Sequence, residues 1–142
     1  MKHVIEFRRL TESDKPILAE WIASDPEHAG LTPEFFYAND QLAMVLEAER
    51  GPGLYLRLDP ESCGTVRLHI QFGPDRRYSA ITLRDGWPIF KERVLLSKKV
   101  VRLVFESTSN ALIRFCQRFG FQKIEGSNDF ELLLNKESNG NT

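Results

Sequence analysis

Two adjacent arginines, Arg76 and Arg77, stand at the start of a predicted helix and are candidates for ligand binding. A guanidinium carries a fixed charge and a planar set of donors suited to phosphate, and the N–H groups at a helix start favour anions. Small side chains follow at Ser79 and Ala80. This pattern predicts a phosphate site, and a solvated helix start is the competing interpretation.

Two other side chains are candidates for proton transfer. His69 belongs to a predicted strand, and histidine is the side chain that most readily exchanges a proton near neutral pH. Glu106 directly follows the strand predicted at residues 100–105 and precedes the polar residues 107–110. Both are therefore candidate general bases. The alternatives are a half-exposed surface histidine and a glutamate that only marks the entry to a helix.

Cys116 lies on the apolar face of a helix predicted at residues 111–119. Leu112, Phe115, Cys116 and Phe119 follow the spacing i, i+3, i+4 and i+7. A buried, inert thiol is one interpretation of this position, whereas a reactive thiol needs a suitable environment. With two cysteines and no Cys-x-x-Cys motif, we expect neither a disulfide framework nor a metal site.

Periodicity and chain breakers predict the elements that position these residues. Strands are expected at residues 3–10, 42–47, 54–58, 66–72, 100–105, 121–124 and 130–134. Helices are expected to begin near residues 11–14, 32–33, 75–77 and 111. Turns at 50–53 and 59–64 indicate an antiparallel meander, and Pro88 predicts a kink or a restart of the third helix. The tail at 135–142 should be frayed.

The strands at 66–72 and 100–105 are expected to be parallel neighbours that diverge at their carboxyl ends. The helical crossover between them is long enough for a parallel connection, and Gly73-Pro74 breaks the first strand. In this first strand, alternation groups Arg67, His69 and Gln71 on one face. The other face carries the apolar side chains.

Bulk properties are those of an ordinary globular domain. The chain has 142 residues, 42% of them hydrophobic, so we expect a single domain over residues 1–134. A net charge of −1 argues against nucleic acid and anionic membranes as partners. No apolar run reaches about 18 residues, and no signal peptide is recognisable, so a cytoplasmic protein is expected.

The element order and one short motif resemble a known family. Residues 100–121 comprise a strand, a polar turn, an amphipathic helix and the ending Arg118-Phe119-Gly120-Phe121. This arrangement resembles the carboxyl-terminal half of the GNAT (Gcn5-related N-acetyltransferase) family. The order β-α-α-β-β-β-α-β-α-β-β extends the resemblance over residues 3–134. It implies an α+β fold with a mixed sheet, although an unrelated α+β domain with the same order is the alternative.

The resemblance implies an acyl-coenzyme A site where the parallel strands end. Its predicted residues are Phe72, Gly73, Arg76, Arg77, Tyr78, Ser79 and Ala80, with Ser109 and Asn110 after the fifth strand. The family's usual Gln/Arg-x-x-Gly-x-Gly/Ala loop is absent here. The bulky Tyr78 is expected to hinder the close backbone approach that glycine allows.

The resemblance also implies N-acyl transfer by direct attack of an amine, with Glu106 or His69 as the general base. Cys116 stands where many relatives carry a tyrosine acid, so it is a candidate proton donor to the departing sulfur. Acetyl-CoA is the expected co-substrate, and a small-molecule or peptide amine is the expected acceptor. No nucleic acid, membrane or metal is expected, and a homodimer is left open. The alternative function is a non-catalytic GNAT-fold binding module.

Overall fold

The computed structural model describes residues 4–28, 30–38, 43–97 and 99–134, so the predicted tail and His3 lie outside it. Its strands and helices are β1 (Glu6–Arg8), α1 (Asp14–Ala23), α2 (Glu34–Tyr37), β2 (Ala43–Ala48), β3 (Gly51–Pro60), β4 (Thr65–Phe72), α3 (Arg76–Leu96), β5 (Arg102–Glu106), α4 (Asn110–Gln117), β6 (Gln122–Lys123) and β7 (Asp129–Leu133). Short 3₁₀ turns occupy Pro26–His28 and Ser62–Gly64. The predicted order of strands and helices is confirmed.

The strands form one mixed sheet in the order β1-β2-β3-β4-β5-β7-β6. The pairs β1–β2, β2–β3, β5–β7 and β6–β7 are antiparallel. The β4–β5 pair is parallel, with Thr65 opposite Arg102 and Arg67 opposite Val104. The predicted parallel neighbours are therefore confirmed, and the fold is α+β.

Contacts along the chain define two compact units. Unit 1 comprises residues 1–57 and 70–89, and unit 2 comprises residues 58–69 and 90–142. The core of unit 1 joins α1 and α2 to β2 and β3 through buried apolar side chains, which are Leu18, Ile22, Phe36, Val45 and Tyr55. Helix α1 supplies two of these members, Leu18 and Ile22.

An aromatic cluster forms the core of unit 2. The Phe105 ring stacks on Phe130 at a centroid distance of 5.3 Å and meets the edge of Phe121 at 5.1 Å. Gly120 has φ of +99°, the left-handed conformation that glycine adopts without a Cβ clash. Gly120 therefore ends the turn after α4 in the way the sequence predicts and leads the chain to Phe121.

One local prediction for the middle of the sheet needs correction. The turn expected at residues 50–53 is shorter, because β3 already begins at Gly51. A Cβ on Gly53 would lie 2.3 Å from Oγ1 of Thr82 in α3, so glycine lets the helix approach the strand closely. Tyr55 is buried in the α1 core and Leu56 is also buried, so β3 is covered on both faces.

Two further expectations concern β4 and α3. Gln71 was grouped with polar neighbours, yet its side chain is fully buried whereas Ile70 and Phe72 are only half-buried. The Trp21 carbonyl of α1 and the Asp25 carboxylate in the turn after it accept hydrogen bonds from the Gln71 amide and explain its burial. No restart occurs at Pro88, since α3 runs through it as one helix. Pro88 lies on the exposed side, where water can satisfy the carbonyl that loses its N–H partner.

Candidate functional site

The end of β4 belongs to unit 1, where the indole of Trp21 covers the backbone of Gly73. A Cβ on Gly73 would lie 2.8–3.0 Å from three carbons of that ring, so only glycine fits. The Gly73 N–H donates to Oγ of Ser79 at 3.0 Å, and the Phe72 carbonyl accepts from the Gln71 amide at 2.8 Å. Two backbone groups at the strand end are thus already paired inside the unit.

Asp75 caps the start of α3 with its carboxylate. Its Oδ1 accepts the backbone N–H of Tyr78 at 3.0 Å, and its Oδ2 accepts from Nη2 of Arg50 at 2.7 Å. The bond from Tyr78, followed by the bond from Arg50, holds the pKa of Asp75 below its usual value. An oxyanion from the chain itself, the Asp75 carboxylate, thus already engages the backbone N–H groups of Arg77 and Tyr78 at this helix start.

Tyr78 connects the start of α3 to the turn between β2 and β3. Its hydroxyl donates to the Gly51 carbonyl at 2.7 Å and accepts the Arg50 N–H at 3.2 Å. The Arg50 guanidinium lies 4.4 Å from the centre of the Tyr78 ring. The Tyr78 side chain, which was expected to hinder close approach to the helix start, therefore contacts the β2–β3 turn.

The other coenzyme residues predicted in unit 1 surround this helix start. Arg76 and Arg77 are its first two residues and are exposed, and the Arg76 guanidinium lies 6.0 Å from the Phe72 ring centre. Ser79 is buried and accepts the Gly73 N–H, and Ala80 is half-buried. The structure thus brings together the predicted members Phe72, Gly73, Arg76, Arg77, Tyr78, Ser79 and Ala80.

A group of buried polar side chains that sequence reasoning missed lies beside the strand end. Gln71 bonds His28 through Oε1, 2.5 Å from Nδ1, and bonds Asp25 through Nε2, 3.0 Å from Oδ2. The His28 Nδ1 also lies 3.5 Å from the Asp25 carboxylate. The spacing of three between Asp25 and His28 in one turn was the available signal. Nothing in the sequence connects that turn with Gln71.

The candidate bases lie in unit 2. Nε2 of His69 donates to Oδ2 of Asp59 at 3.0 Å, and this histidine is half-buried. Glu106 is exposed at the end of β5, opposite Asp129 in the register with β7. The two predicted bases therefore have different surroundings, and their role as bases stays a prediction.

The remaining predicted residues belong to α4, also in unit 2. Burial raises the pKa of the Cys116 thiol to about 12, and only 3% of this residue is exposed. Ser109 is the N-cap of α4, with its Oγ accepting the Leu112 N–H at 3.4 Å, and Asn110 is exposed. Cys116 is therefore buried, as in the first of its two interpretations. The Ser109 hydroxyl is engaged in capping α4.

Within the described ranges, no three His, Cys, Asp or Glu side chains come together as possible metal ligands. None of the helices described there is long and apolar enough to cross a membrane.

Comparison with known proteins gives similarity at the level of structure. No protein-family model and no curated protein matches the sequence significantly. The ribosomal-protein-S18-alanine N-acetyltransferase from Escherichia coli superposes with a TM-score of 0.66 at 13% identity, over 92% of this chain and 94% of that one. A GNAT-family acetyltransferase from Staphylococcus aureus Mu50 gives 0.69 at 14% identity, over 93% and 100%.

N-acetylglutamate synthase from Neisseria gonorrhoeae, solved with coenzyme A and L-arginine, is a third structural neighbour. Its TM-score is 0.71 at 15% identity, over 95% of this chain and 34% of the larger protein. At such identities the likeness concerns the fold alone. The chain has the fold of the GNAT acetyltransferases, which confirms the resemblance that its element order indicates.

Proposed function

We propose that this chain is an acyl-CoA-dependent N-acyltransferase that transfers an acetyl group from acetyl-CoA to an amine. The observation that carries the proposal is a helix start that holds an oxyanion, directly after the parallel strand β4 of a GNAT fold. The structural neighbours named as acetyltransferases, one of them solved with coenzyme A, support it. A cytoplasmic location is part of the same proposal.

The start of α3 fits the diphosphate of the coenzyme because it already binds a carboxylate. When Asp75 turns away, the N–H groups of Arg77 and Tyr78 become available to a phosphate oxygen. Arg76 and Arg77 add exposed, permanent charges beside it. Phe72, Gly73, Ser79 and Ala80 complete the coenzyme side in unit 1. The roles of Ser109 and Asn110 in unit 2 stay predictions.

The reaction needs a neutral amine, so a general base assists direct attack on the acetyl carbonyl. Glu106 and His69 remain the bases predicted from the sequence. Cys116, whose pKa burial raises to about 12, stays protonated at neutral pH, which suits a proton donor better than a nucleophile. The acceptor is a small-molecule or peptide amine.

Acetyl transfer is the reaction to be measured. Purified protein with acetyl-CoA is expected to acetylate at least one amine among spermidine, L-glutamate, kanamycin and a peptide with amino-terminal alanine. Mass spectrometry of the amine and release of free thiol report the same event, and boiled protein is the control. Coenzyme binding without transfer to any of these amines contradicts the proposed reaction.

A non-catalytic GNAT-fold binding module is the second candidate, and a specific observation favours it. Asp75 occupies the helix start and is paired with Arg50, while Ser79 and Gln71 engage the backbone of Gly73 and Phe72. Because these polar groups are already paired inside the chain, the site is complete without a coenzyme. The two functions differ in whether a bound anion displaces the Asp75 carboxylate from the helix start.

Asp75→Asn is expected to lower the dissociation constant for acetyl-CoA. Asparagine caps a helix about as well as aspartate, so the change removes a competing negative charge and keeps the cap. Isothermal titration calorimetry measures the affinity. Asp85→Asn removes a carboxylate further along α3 and should leave the affinity unchanged. An equal or weaker affinity of Asp75→Asn would favour the non-catalytic module.

A further inference from the structure

We propose that His28 is the group that accepts the proton of the acceptor amine, and that Gln71 and Asp25 are its positioning residues. This inference rests on the proposed N-acyltransferase function and assigns it a proton acceptor in unit 1. It is carried by hydrogen-bond geometry in a buried cluster, which fixes where the imidazole ring holds its own proton.

The orientation of the Gln71 amide follows from its neighbours. Its Nε2 faces three oxygen acceptors, which are the Phe72 carbonyl at 2.8 Å, Oδ2 of Asp25 at 3.0 Å and the Trp21 carbonyl at 3.5 Å. An amide oxygen in that position would meet only other acceptors. The NH₂ group therefore points to these oxygens, and Oε1 points to His28.

That orientation decides the tautomer of His28. An amide oxygen only accepts, so Nδ1 of His28 must carry the hydrogen in the 2.5 Å bond to Gln71. In the neutral ring, Nε2 then holds a lone pair and can take up a proton. The side chain of His28 is 20% exposed, so the ring is held from the buried side and still reaches solvent.

Asp25 stabilises the ring once it is protonated. One carboxylate oxygen, Oδ2, accepts from Gln71 and lies 3.5 Å from Nδ1 of His28. The other, Oδ1, accepts the Glu27 N–H at 3.0 Å. The carboxylate is thus fixed in place, and its charge offsets the imidazolium that forms when Nε2 gains a proton.

The cluster adjoins the strand end that the proposed function assigns to the coenzyme. Gln71 directly precedes Phe72 and Gly73, the strand end that the proposed function assigns to the coenzyme side of the site. Gln71 is completely buried and holds His28 to that strand end by a single short bond. His28 is therefore anchored to the element on which the coenzyme is expected to lie.

The step balances with His28 as the first proton acceptor. The ammonium form of the substrate gives one proton to Nε2 of His28 and becomes a neutral amine. Its nitrogen lone pair forms the N–C bond to the acetyl carbon, and the C–S bond breaks with its electron pair left on sulfur. The second nitrogen proton goes to that thiolate. The products are the amide, the free thiol and a protonated His28, which returns its proton to water.

The tautomer can be measured in the wild-type protein without any reaction. Nitrogen–proton correlation spectra of the histidine rings at alkaline pH are expected to show His28 with its hydrogen on Nδ1. His69 is the internal control and should carry its hydrogen on Nε2, which donates to Asp59. A His28 ring with its hydrogen on Nε2 overturns the inference.

His28→Asn is the matched variant for catalysis. The asparagine amide can donate to Oε1 of Gln71 as Nδ1 does, but it has no second nitrogen to accept a proton. Its turnover number is expected to fall by roughly 10²–10⁴-fold, the usual worth of a general base. Stabilisation by acetyl-CoA should be that of wild type, and added imidazole should restore part of the rate.

The outcomes separate this inference from the function on which it rests. Wild-type transfer combined with an unchanged turnover number in His28→Asn overturns the role of His28 and leaves the transferase function intact. His69→Asn is the parallel variant, and a large loss there with none in His28→Asn assigns the base to His69. A wild-type protein that acetylates none of the four amines removes the proposed function, and this inference falls with it.

Discussion

Replacing Asp14 by alanine is expected to lower the free energy of unfolding by roughly 3–5 kcal/mol, the usual consequence of removing one partner of a buried ion pair. Asp14 is 1% exposed and begins α1. Arg8 donates to it through two nitrogens at 2.8 and 2.9 Å, and the buried hydroxyl of Tyr55 donates to it at 2.9 Å. The variant leaves the buried Tyr55 hydroxyl without this acceptor. Arg8 keeps its bonds to Glu47 and the Arg9 carbonyl.

The same network predicts a loss of stability in acid. Burial alone raises the pKa of Asp14, but the bonds from Arg8, the Thr11 N–H and Tyr55 outweigh it and bring the pKa from 3.8 to about 2. The folded chain therefore binds this proton more weakly than the unfolded chain does. A stabilisation of about 2 kcal/mol is complete above the unfolded pKa and is lost as the pH falls from about 4 towards 2.

Chemical denaturation of wild type and variants measures both effects. Tyr55→Phe removes a single hydrogen bond to Asp14 and should cost only about 1 kcal/mol. Lys15→Ala is the control beside Asp14, because its pair with Glu34 is exposed, and it should leave the midpoint nearly unchanged. A loss below about 1 kcal/mol in Asp14→Ala would contradict the role assigned to this network.

Local signals explain which parts of the fold were predictable. The apolar spacing of α4, the polar residues before it and Gly120 after it are all close in sequence, and the structure follows them. The parallel β4–β5 pair followed from the length of the crossover. In each case a short-range pattern or the length of one connection was enough to predict the result.

The buried polar groups were not predictable in the same way. The Thr11-to-Asp14 spacing indicated a helix start, and the Thr11 N–H does donate to Asp14 at 2.9 Å. Another partner of Asp14, Tyr55, lies 41 residues further along the chain. Gln71 and His28 are likewise 43 residues apart. Such bonds depend on how strands and helices pack, which alternation within one strand does not reveal.

The start of α3 was predictable in its position and its cap, but not in its contact with a distant part of the chain. Its position at Arg76 was predicted from the two arginines and the break before them. That Asp75 would cap it was readable from an aspartate three residues before Tyr78, a usual N-cap spacing. The pairing of Asp75 with Arg50 was not readable, since Arg50 comes from the turn between two other strands.

Acetyl-CoA at a hundred times its dissociation constant is expected to stabilise the native chain by about 2.7 kcal/mol, because a ligand that binds only the folded state shifts the unfolding equilibrium. For a chain of 142 residues this corresponds to a rise in the unfolding midpoint of roughly 5–11 °C. Adenosine should give a smaller rise, since it lacks the diphosphate and the pantetheine arm.

A thermal titration of wild type and of the double variant Arg76→Ala, Arg77→Ala tests this central claim most directly. The double variant should bind acetyl-CoA more weakly by roughly 1–3 kcal/mol, the worth of charge-assisted hydrogen bonds to phosphate. Arg84→Ala with Arg93→Ala removes the same charge from later turns of α3 and should titrate as wild type does. A dose-dependent rise that is reduced only in the Arg76, Arg77 variant is the result expected for a coenzyme site at the start of α3. A wild-type midpoint that does not move with acetyl-CoA would contradict the proposed function.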